Sequence, residues 1–354
     1  MDATLKQWIG RVHDAVETGS QLVIRGGGSK AFYGGAARGE VFDTRDHAGI
    51  VSYEPTELVV VARAGTPLAE LQAALAEKGQ CLPFEPPQFG GAATVGGMVA
   101  AGLSGPRRAA VGAVRDYVLG VKLIDGKGEL LAFGGQVMKN VAGYDVPRLM
   151  AGSLGTLGVL TEVALKVLPV PVAEQTLRFA LSEAESLRKL NAWGGQPLPI
   201  AASAWHDGAL TIRLAGAKAA VEAAQAGLGG DVLAEAAAFW TSLREQTHTF
   251  LAGDAPLWRL SVASTTPALG LGETLLEWGG AQRWLRGEHD AAALRAAAAQ
   301  AGGHAVLFRG DAALKARVGT FQPLSPVLAT IHRKLKLAFD PHGVFNVGRM
   351  YPEF

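Results

Sequence analysis

One cysteine, Cys81, occurs in 354 residues. A chain so poor in thiol can form no internal disulfide, no multi-cysteine zinc site and no iron–sulfur ligand set of its own. Cys81 reads as an ordinary core thiol. Also missing is any run of the roughly 20 apolar residues that a membrane-spanning helix needs. Neither sign of charge dominates: 33 Lys and Arg stand against 32 Asp and Glu, a net charge of +1. That leaves no basic excess of the kind that nucleic-acid binding rests on. The first residues, MDATLKQWIGRVHDAVETG, contain Asp2 and Glu17 and no apolar central stretch. They read as an amphipathic helix rather than a secretory signal, and a cytoplasmic protein is the natural expectation.

Glycine is what the chain has in plenty, 46 residues of it, and its clustering carries the functional reading. In QLVIRGGGSK (21–30) a short strand ends at Arg25 and three glycines precede Ser29 and Lys30. A P-loop is excluded, because Lys would have to precede the hydroxyl residue and a helix would have to follow. Gly26-x-Gly28-x-x-Ala31 fits a dinucleotide fingerprint in letters, and Asp43 ends a second short strand downstream. That fingerprint must open a helix whose N-terminus meets the diphosphate. Gly34, Gly35 and Gly39 forbid a helix there, at about 1 kcal/mol each relative to Ala. The segment is therefore expected to be a loop between strands. Its N–H groups are either free to nest an anion or part of a plain glycine turn.

Residues 1 to about 170 alternate short strands with glycine-rich turns. Residues 57–65 read as a strand. Residues 66–79 read as a helix with Thr66 as N-cap, Pro67 at its first position and Gly79 as terminator. Residues 118–134 read as a hairpin turning at Asp125-Gly126. Residues 156–169 read as a long strand stopped by Pro169. LPVPV (168–172) is a linker. Beyond it, helices at 217–228, 233–247 and 288–301 lie among strands near 176–181, 200–206, 209–214, 258–263 and 304–308. They suggest an antiparallel sheet with helices on one face. The end is a helix from about 325 to 339, a stop at Asp340-Pro341-His342-Gly343, and an irregular tail.

A second glycine cluster spans 86–108, with a short helix expected to start at Thr94. Gly96 and Gly97 in its first turn cost helix stability. They serve either tight packing on the sheet or bare amides facing a phosphate or a polar ring edge. A third cluster spans 112–120 and a fourth 152–162. Four Gly-Ser/Thr clusters in one domain suggest an extended groove that touches a long ligand through backbone, and a dinucleotide is long enough.

RGGGSK, ATVGGMVA, VRDYVLGVKLIDGKGELLAFGG and GSLGTLGVLTEVALKV, in that order, resemble the FAD-binding half of the vanillyl-alcohol-oxidase/PCMH flavoprotein family. Within it, IVSYEPTELVVVARAGTPL, FGGQVMKNVAGYDVPRLMAGS, EWGGAQRWL and FNVGRMY are similar to the FAD-binding subunits of bacterial glycolate oxidase (glycolate dehydrogenase) complexes. The resemblance covers most of the chain. It implies an α+β fold: a PCMH-type FAD-binding domain of two α+β subdomains over 1–170, an antiparallel sheet-plus-helices cap domain over 171–320, and a C-terminal helix and tail (321–354) that returns to the flavin domain. The implied function is oxidation of a 2-hydroxy acid to a 2-oxo acid. The implied partners are a homologous FAD-containing catalytic subunit, an iron–sulfur subunit that takes the electrons, and the small 2-hydroxy acid substrate. Any contact with the inner face of the membrane would come through those partners.

By the same resemblance, Arg25, Gly26, Gly27, Gly28, Ser29 and Lys30 cradle the FAD diphosphate. Thr94, Val95, Gly96 and Gly97 face flavin and diphosphate, while Pro87, Ser104, Gly105, Arg115, Gly158 and Val159 line the rest of the groove. Asn346 sits near the isoalloxazine, in a turn where the family commonly has Pro in place of Val347. Relatives that attach flavin covalently use a His where Gly28 stands, so non-covalent FAD is expected.

A catalytic group does not emerge. Related hydroxy-acid flavoenzymes gather His and acidic residues over the flavin, whereas His289, His304, His332 and His342 are scattered. Lys139, Asn140, Tyr144 and Asp145 form the densest polar group and read more readily as structural. Two alternatives therefore stay beside the complex subunit: a stand-alone FAD dehydrogenase of another hydroxy acid or sugar, and a non-catalytic FAD-holding scaffold.

Overall fold

The computed structural model describes residues 2–135 and 143–353. Helix α1 (Ala3–Thr18) begins where Asp2 accepts from the Thr4 N–H and ends at left-handed Gly19. Leu5, Trp8, Val12 and Ala15 recur at helical spacing and are buried. At about 1.5–3 kcal/mol for each large apolar side chain taken out of water, this face rather than helix propensity holds α1 in place. It packs on strands β1 (Leu22–Arg25) and β2 (Glu40–Asp43), which pair in parallel from Leu22↔Glu40 to Arg25↔Asp43. The connection between them is loop, as the glycines require.

Strands β3 (Ile50–Glu54) and β4 (Val59–Arg63) lead to helix α2 (Leu68–Ala76), strand β5 (Gln80–Cys81), helix α3 (Val95–Ala101) and the short helix α4 (Arg108–Val111). The hairpin β6 (Val118–Ile124) and β7 (Leu130–Gly134), helix α5 (Val146–Met150), and strands β8 (Val159–Lys166) and β9 (Leu168–Pro169) complete this half. The five-stranded sheet runs β3-β4-β8-β6-β7, antiparallel throughout. Leu68, Leu71, Leu75, Met98, Val99 and Met150 bury against its Val60, Val121, Val163 and Leu165. Asp125 accepts from the N–H groups of Lys127 and Glu129, both at 2.9 Å, and so closes the expected turn.

Two local expectations change. Thr66 does not cap α2. Its buried hydroxyl accepts from the Gly49 N–H and donates to the Arg63 carbonyl, so the helix opens at Pro67 without a side-chain cap. Pro169 does not stop the strand outright, since Leu168–Pro169 resumes pairing with Gln80–Cys81 as an edge that spares the proline its missing N–H.

The second half builds an eight-stranded antiparallel sheet. In chain order it holds β10 (Ala173–Ala180), α6 (Glu183–Gly194), β11 (Ile200–His206), β12 (Ala209–Gly216), α7 (Lys218–Leu228), β13 (Asp231–Val232), α8 (Ala236–Arg244), β14 (Leu257–Ser261), β15 (Thr274–Glu277), β16 (Gln282–Arg286), α9 (Ala291–Gln300), β17 (His304–Arg309) and α10 (Ala312–Val318). The strand order is β13-β10-β12-β11-β15-β16-β14-β17. Helices α6, α7 and α9 cover one face. Helix α8 lies on the other, where Trp240 and Leu243 meet Ala202, Trp284 and Phe308 of the sheet and Tyr33, Leu103 and Leu154 of the first half. Helices therefore occupy both faces rather than one. Strand β17 shows why: its residues are apolar in succession, with Ala305 and Leu307 facing one cluster and Val306 and Phe308 the other.

The last helix, α11 (Pro326–Phe339), starts at Ser325, whose hydroxyl accepts from the Leu328 N–H. At its end the Lys336 ammonium, almost fully buried, donates to Asp340 at 2.7 Å and to the carbonyls of Thr156 and Phe345 at 2.8 Å. Asp340 in turn accepts from the N–H groups of Val344 and Phe345. This buried ion pair, with its remaining hydrogen-bonding positions filled, turns the tail back onto β1, where Leu22 bridges Phe345.

Candidate functional site

The loop after β1 is the centre of the site. Among the described residues, none accepts a hydrogen bond from the N–H of Gly26, Gly27, Gly28, Ser29 or Lys30. Five successive amides without a protein partner, on a half-exposed loop, are donors available to an anion. Gly28 adopts φ +74°, which favours glycine, and a Cβ there would meet only the aliphatic part of Arg25 at 3.9 Å. Gly26 and Gly27 are glycines for another reason. A Cβ on Gly26 would lie 2.2 Å from the Thr94 hydroxyl, and one on Gly27 would lie 1.3 Å from the Ala92 carbonyl oxygen. Segment 92–94 is pressed against the loop and leaves no room for a side chain.

The loop walls a cleft of about 140 Å³, closed on its other sides by Thr94, Gly97 and Ala101, and by Leu154, Asn346 and Arg349. Lys30 spans it. Its ammonium donates to the Ser29 hydroxyl (3.2 Å) and the Gln88 carbonyl (3.4 Å) and lies over the Phe89 ring. Burial pushes the Lys30 ammonium down to about 8, against the opposing pull of Glu245. Glu245 itself accepts from the N–H groups of Gln88 and Phe89, which ties α8 and its end to the rim of the site.

Of the two roles left open for the first turn of helix α3, bare amides or close packing, the structure shows the amides occupied. Thr94 caps it by accepting from the Gly97 N–H, and the remaining first-turn amides are also taken: Val95 donates to Thr66, Gly96 to Ala64 and Met98 to Thr94. A Cβ on Gly96 would stand 2.7 Å from that of Ala64. Gly96 and Val95 thus serve helix-on-strand packing, while Thr94 and Gly97 reach the cleft.

The other expected residues divide. Pro87, Ser104 and Gly105 border a second cavity of about 20 Å³, room for about one water. The Ser104 hydroxyl accepts from Val114, and the Gly105 carbonyl accepts from the Trp278 indole. Arg115 is exposed in a single 3₁₀ turn (Val114–Asp116). Gly158 immediately precedes β8 and Val159 opens it: a Cβ on Gly158 would meet the Ile124 carbonyl at 2.8 Å, and Val159 is buried in the α1 cluster. These three are not among the residues that line either cavity. The fourth cluster contributes Leu154 instead. Asn346, at φ +43°, ties the cleft's walls together, its side-chain oxygen accepting from the Ile24 N–H at 2.8 Å and its amino group donating to the Leu154 carbonyl at 2.6 Å. One N–H and one lone pair of the amide remain beside the cleft.

Sequence reasoning passed over Arg349, three residues after Asn346, and over Glu277, Gln282 and Arg259 around the second cavity. Glu277 is 4% exposed, and one of its carboxylate oxygens accepts from the Trp284 indole (2.6 Å) and the Gln282 amide (2.9 Å). Burial pushes Glu277 up to about 7. The Gln282 side-chain oxygen is buried without a partner. A lone acid in the apolar stretch TLLEW was the available signal. Of the polar group at 139–145, Lys139 and Asn140 lie outside the described residues. Tyr144 is exposed, and Asp145 caps α5 by accepting from Arg148. Among the described residues, no three His, Cys, Asp or Glu side chains gather as a metal site would require.

A family profile described as an FAD binding domain matches residues 3–134. Over 345 residues the chain is 50% identical to the glycolate oxidase subunit GlcE of Escherichia coli (strain K12), covering 97% of this chain and 96% of that one. The chain belongs to this glycolate oxidase subunit family of PCMH-type FAD-binding proteins. It is also 34% identical over 128 residues to the glycolate oxidase subunit GlcD of Bacillus subtilis (strain 168), which spans 36% of this chain and 27% of that protein. In the solved structures, alkyldihydroxyacetonephosphate synthase superposes with TM-scores of 0.63 and 0.65 in two crystal forms. At 15% and 16% identity, over 96% of this chain and 74% of that one, the likeness is one of fold. The free amides of 26–30 and the ammonium of Lys30 fit the diphosphate of FAD. No helix among the described residues is long and apolar enough to cross a membrane.

Proposed function

We propose that this chain is the FAD-holding subunit of a glycolate-oxidising complex, in which a 2-hydroxy acid becomes a 2-oxo acid and electrons leave through an iron–sulfur partner. The observation that carries the reading is the row of five unpaired amides at Gly26–Lys30, in a chain similar over nearly its full length to a glycolate oxidase subunit. In this reading the loop and Lys30 hold the diphosphate, with Thr94 and Gly97 bordering it. Asn346 fixes the walls, and the Pro87–Ser104–Gly105 side lies toward the flavin ring. FAD supplies, when bound, the acceptor for the two electrons of the alcohol oxidation. The division into an FAD-binding domain (1–170), a cap (171–320) and a returning tail (321–354) belongs to the same proposal. So does non-covalent attachment, since Gly28 offers no nucleophile and half-buried Cys81 sits on β5, outside the residues that line the cleft.

A 2-hydroxy acid must lose its hydroxyl proton as the α-carbon is oxidised, and a positioned base contributes about 10²–10⁴-fold to such a step. No His, Asp or Glu is among the residues lining the cleft at 26–30, and the Glu277 carboxyl at the second cavity is engaged by Trp284 and Gln282, so in this reading the isolated subunit is slow and a homologous catalytic subunit supplies the chemistry. The test is anaerobic mixing with glycolate or D-lactate while following the flavin absorbance near about 450 nm. Slow bleaching that becomes fast when the partner subunits are added is expected. Bleaching by the isolated chain at roughly 1 per second or faster would overturn the division of labour and favour a stand-alone dehydrogenase.

A further inference from the structure

A second cleft of about 860 Å³ adjoins the first and shares Ala31 and Arg349 with it. Its wall carries Arg38, Lys315, Arg317 and Arg349 and no Asp or Glu. Two of these cations grip the continuation of the diphosphate loop. The Lys315 ammonium donates to the carbonyls of Phe32 and Gly34. The Arg349 guanidinium donates to the carbonyls of Lys30 (3.0 Å) and Gly35 (3.1 Å), and the Gly35 N–H donates back to the Arg349 carbonyl at 2.7 Å. The fit is close: a Cβ on Gly34 would lie 2.8 Å from the Arg349 carbonyl oxygen, and one on Gly35 would lie 2.5 Å from that of Gly348.

The electrostatics of this contact are unbalanced. Among the described residues, no carboxylate forms an ion pair with Arg25, Lys30, Lys315 or Arg349. Burial and then the charge of Arg349 push the Lys315 ammonium down to about 8. Burial and then Arg25 push Arg349 down as well. Half-buried like charges held together without a counter-ion are costly, and the arrangement is relieved when an anion arrives. The five free amides at Gly26–Lys30 lie on the same loop.

We propose that Lys315 and Arg349 are a cationic brace for the FAD diphosphate: they fix loop 30–35 by its carbonyls and supply positive charge to the anion nested at 26–30. Binding of FAD then draws together three parts of the chain, namely the loop, helix α10 and the C-terminal tail. The proposal rests on the FAD reading above.

The test measures FAD affinity by fluorescence quenching on flavin-depleted full-length protein, with circular dichroism as a control for folding. Lys315→Gln should bind FAD at least about tenfold more weakly at neutral pH, a loss of about 1.4 kcal/mol, and Lys315→Arg should stay close to wild type. The charged lysines bind the anion, so wild-type affinity should fall as pH rises through about 8, by up to about tenfold per pH unit for each of Lys30 and Lys315. Both variants at position 315 should show a shallower fall, because only Lys30 still titrates. The other charged groups that line this cleft with Lys315 are Arg38, Arg317 and Arg349. Equal FAD affinity of Lys315→Gln and wild type at about pH 7 and pH 9.5 would overturn the brace, as would equal losses for Gln and Arg. If Lys315→Gln fails to fold, a wild-type affinity independent of both pH and salt overturns it instead. A wild-type chain that does not bind FAD at all refutes the FAD reading, a different result from binding that ignores position 315.

Discussion

Replacing Glu277 by Gln should stabilise this protein at neutral and alkaline pH, although it removes a fully buried, hydrogen-bonded acid. Burial is the largest influence on the Glu277 carboxyl. The hydrogen bonds from Trp284 and Gln282 and the charge of Arg259 oppose it, and that of Glu85 reinforces it. The net result moves the group from the ordinary carboxylate value of 4.5 to about 7. At about 1.36 kcal/mol per pH unit, ionised Glu277 costs the folded state roughly 3 kcal/mol. The sign follows from proton binding. Between 4.5 and about 7 the folded chain holds a proton that the unfolded chain has released, so this group's contribution to stability declines as pH rises and is fully lost above about 7. Glutamine retains an acceptor for Trp284 and Gln282 and carries no charge. The assay is urea unfolding of wild type and variant at about pH 4.5 and about pH 8, scored as the difference between the two proteins so that other titrating groups cancel. The variant should gain roughly 2–3 kcal/mol over wild type at the higher pH and show little difference at the lower. An equal or less stable variant at pH 8, or a difference that does not change with pH, would refute the reasoning.

Four further outcomes follow from the geometry. Gly28→Val meets strain at φ +74° and a side chain beside the free amides, so flavin retention should be lost while circular dichroism stays near wild type. Gly27→Ala, whose Cβ would fall 1.3 Å from the Ala92 carbonyl, should instead lower thermal stability itself, and a Gly27→Ala protein as stable as wild type would contradict the packing. Lys336→Met leaves Asp340 charged and buried and should cost about 3–5 kcal/mol in denaturant unfolding; a loss below about 1 kcal/mol would show that the pair is dispensable. Acid precipitation should release yellow flavin to the supernatant, and flavin that stays with the pellet would contradict non-covalent attachment at a loop with Gly28 in place of a nucleophile.

Much of this molecule is legible locally, because local physics decides it. The period of Leu5, Trp8, Val12 and Ala15 makes α1 a helix. Thr94 caps α3, Asp125-Gly126 turns the hairpin, and the glycines at 34, 35 and 39 exclude a helix after Lys30 whatever the rest of the chain does. The loop proposed for the diphosphate stands out for the same reason: the donors it offers are backbone amides, and backbone conformation is written in nearby glycines. Hydrogen-bond partners far along the chain are not written there. Whether the amides of α3 are free depends on Thr66 and Ala64, some 30 residues earlier, and the fold spends them on the sheet. Gly27 looks like an opening for a ligand until Ala92 is seen against it. Val159 shares a cluster with Leu154, yet strand pairing takes it into the sheet while Leu154 lines the cleft. Lys315 and Arg349 are unremarkable letters in sequence, and Glu277 shows there only as a lone acid in an apolar stretch. Only the return of the tail and the packing of the second sheet on the first bring two cations to one loop and seal a carboxyl away from water, because charge acquires its meaning from neighbours and burial, and both are properties of the assembled chain.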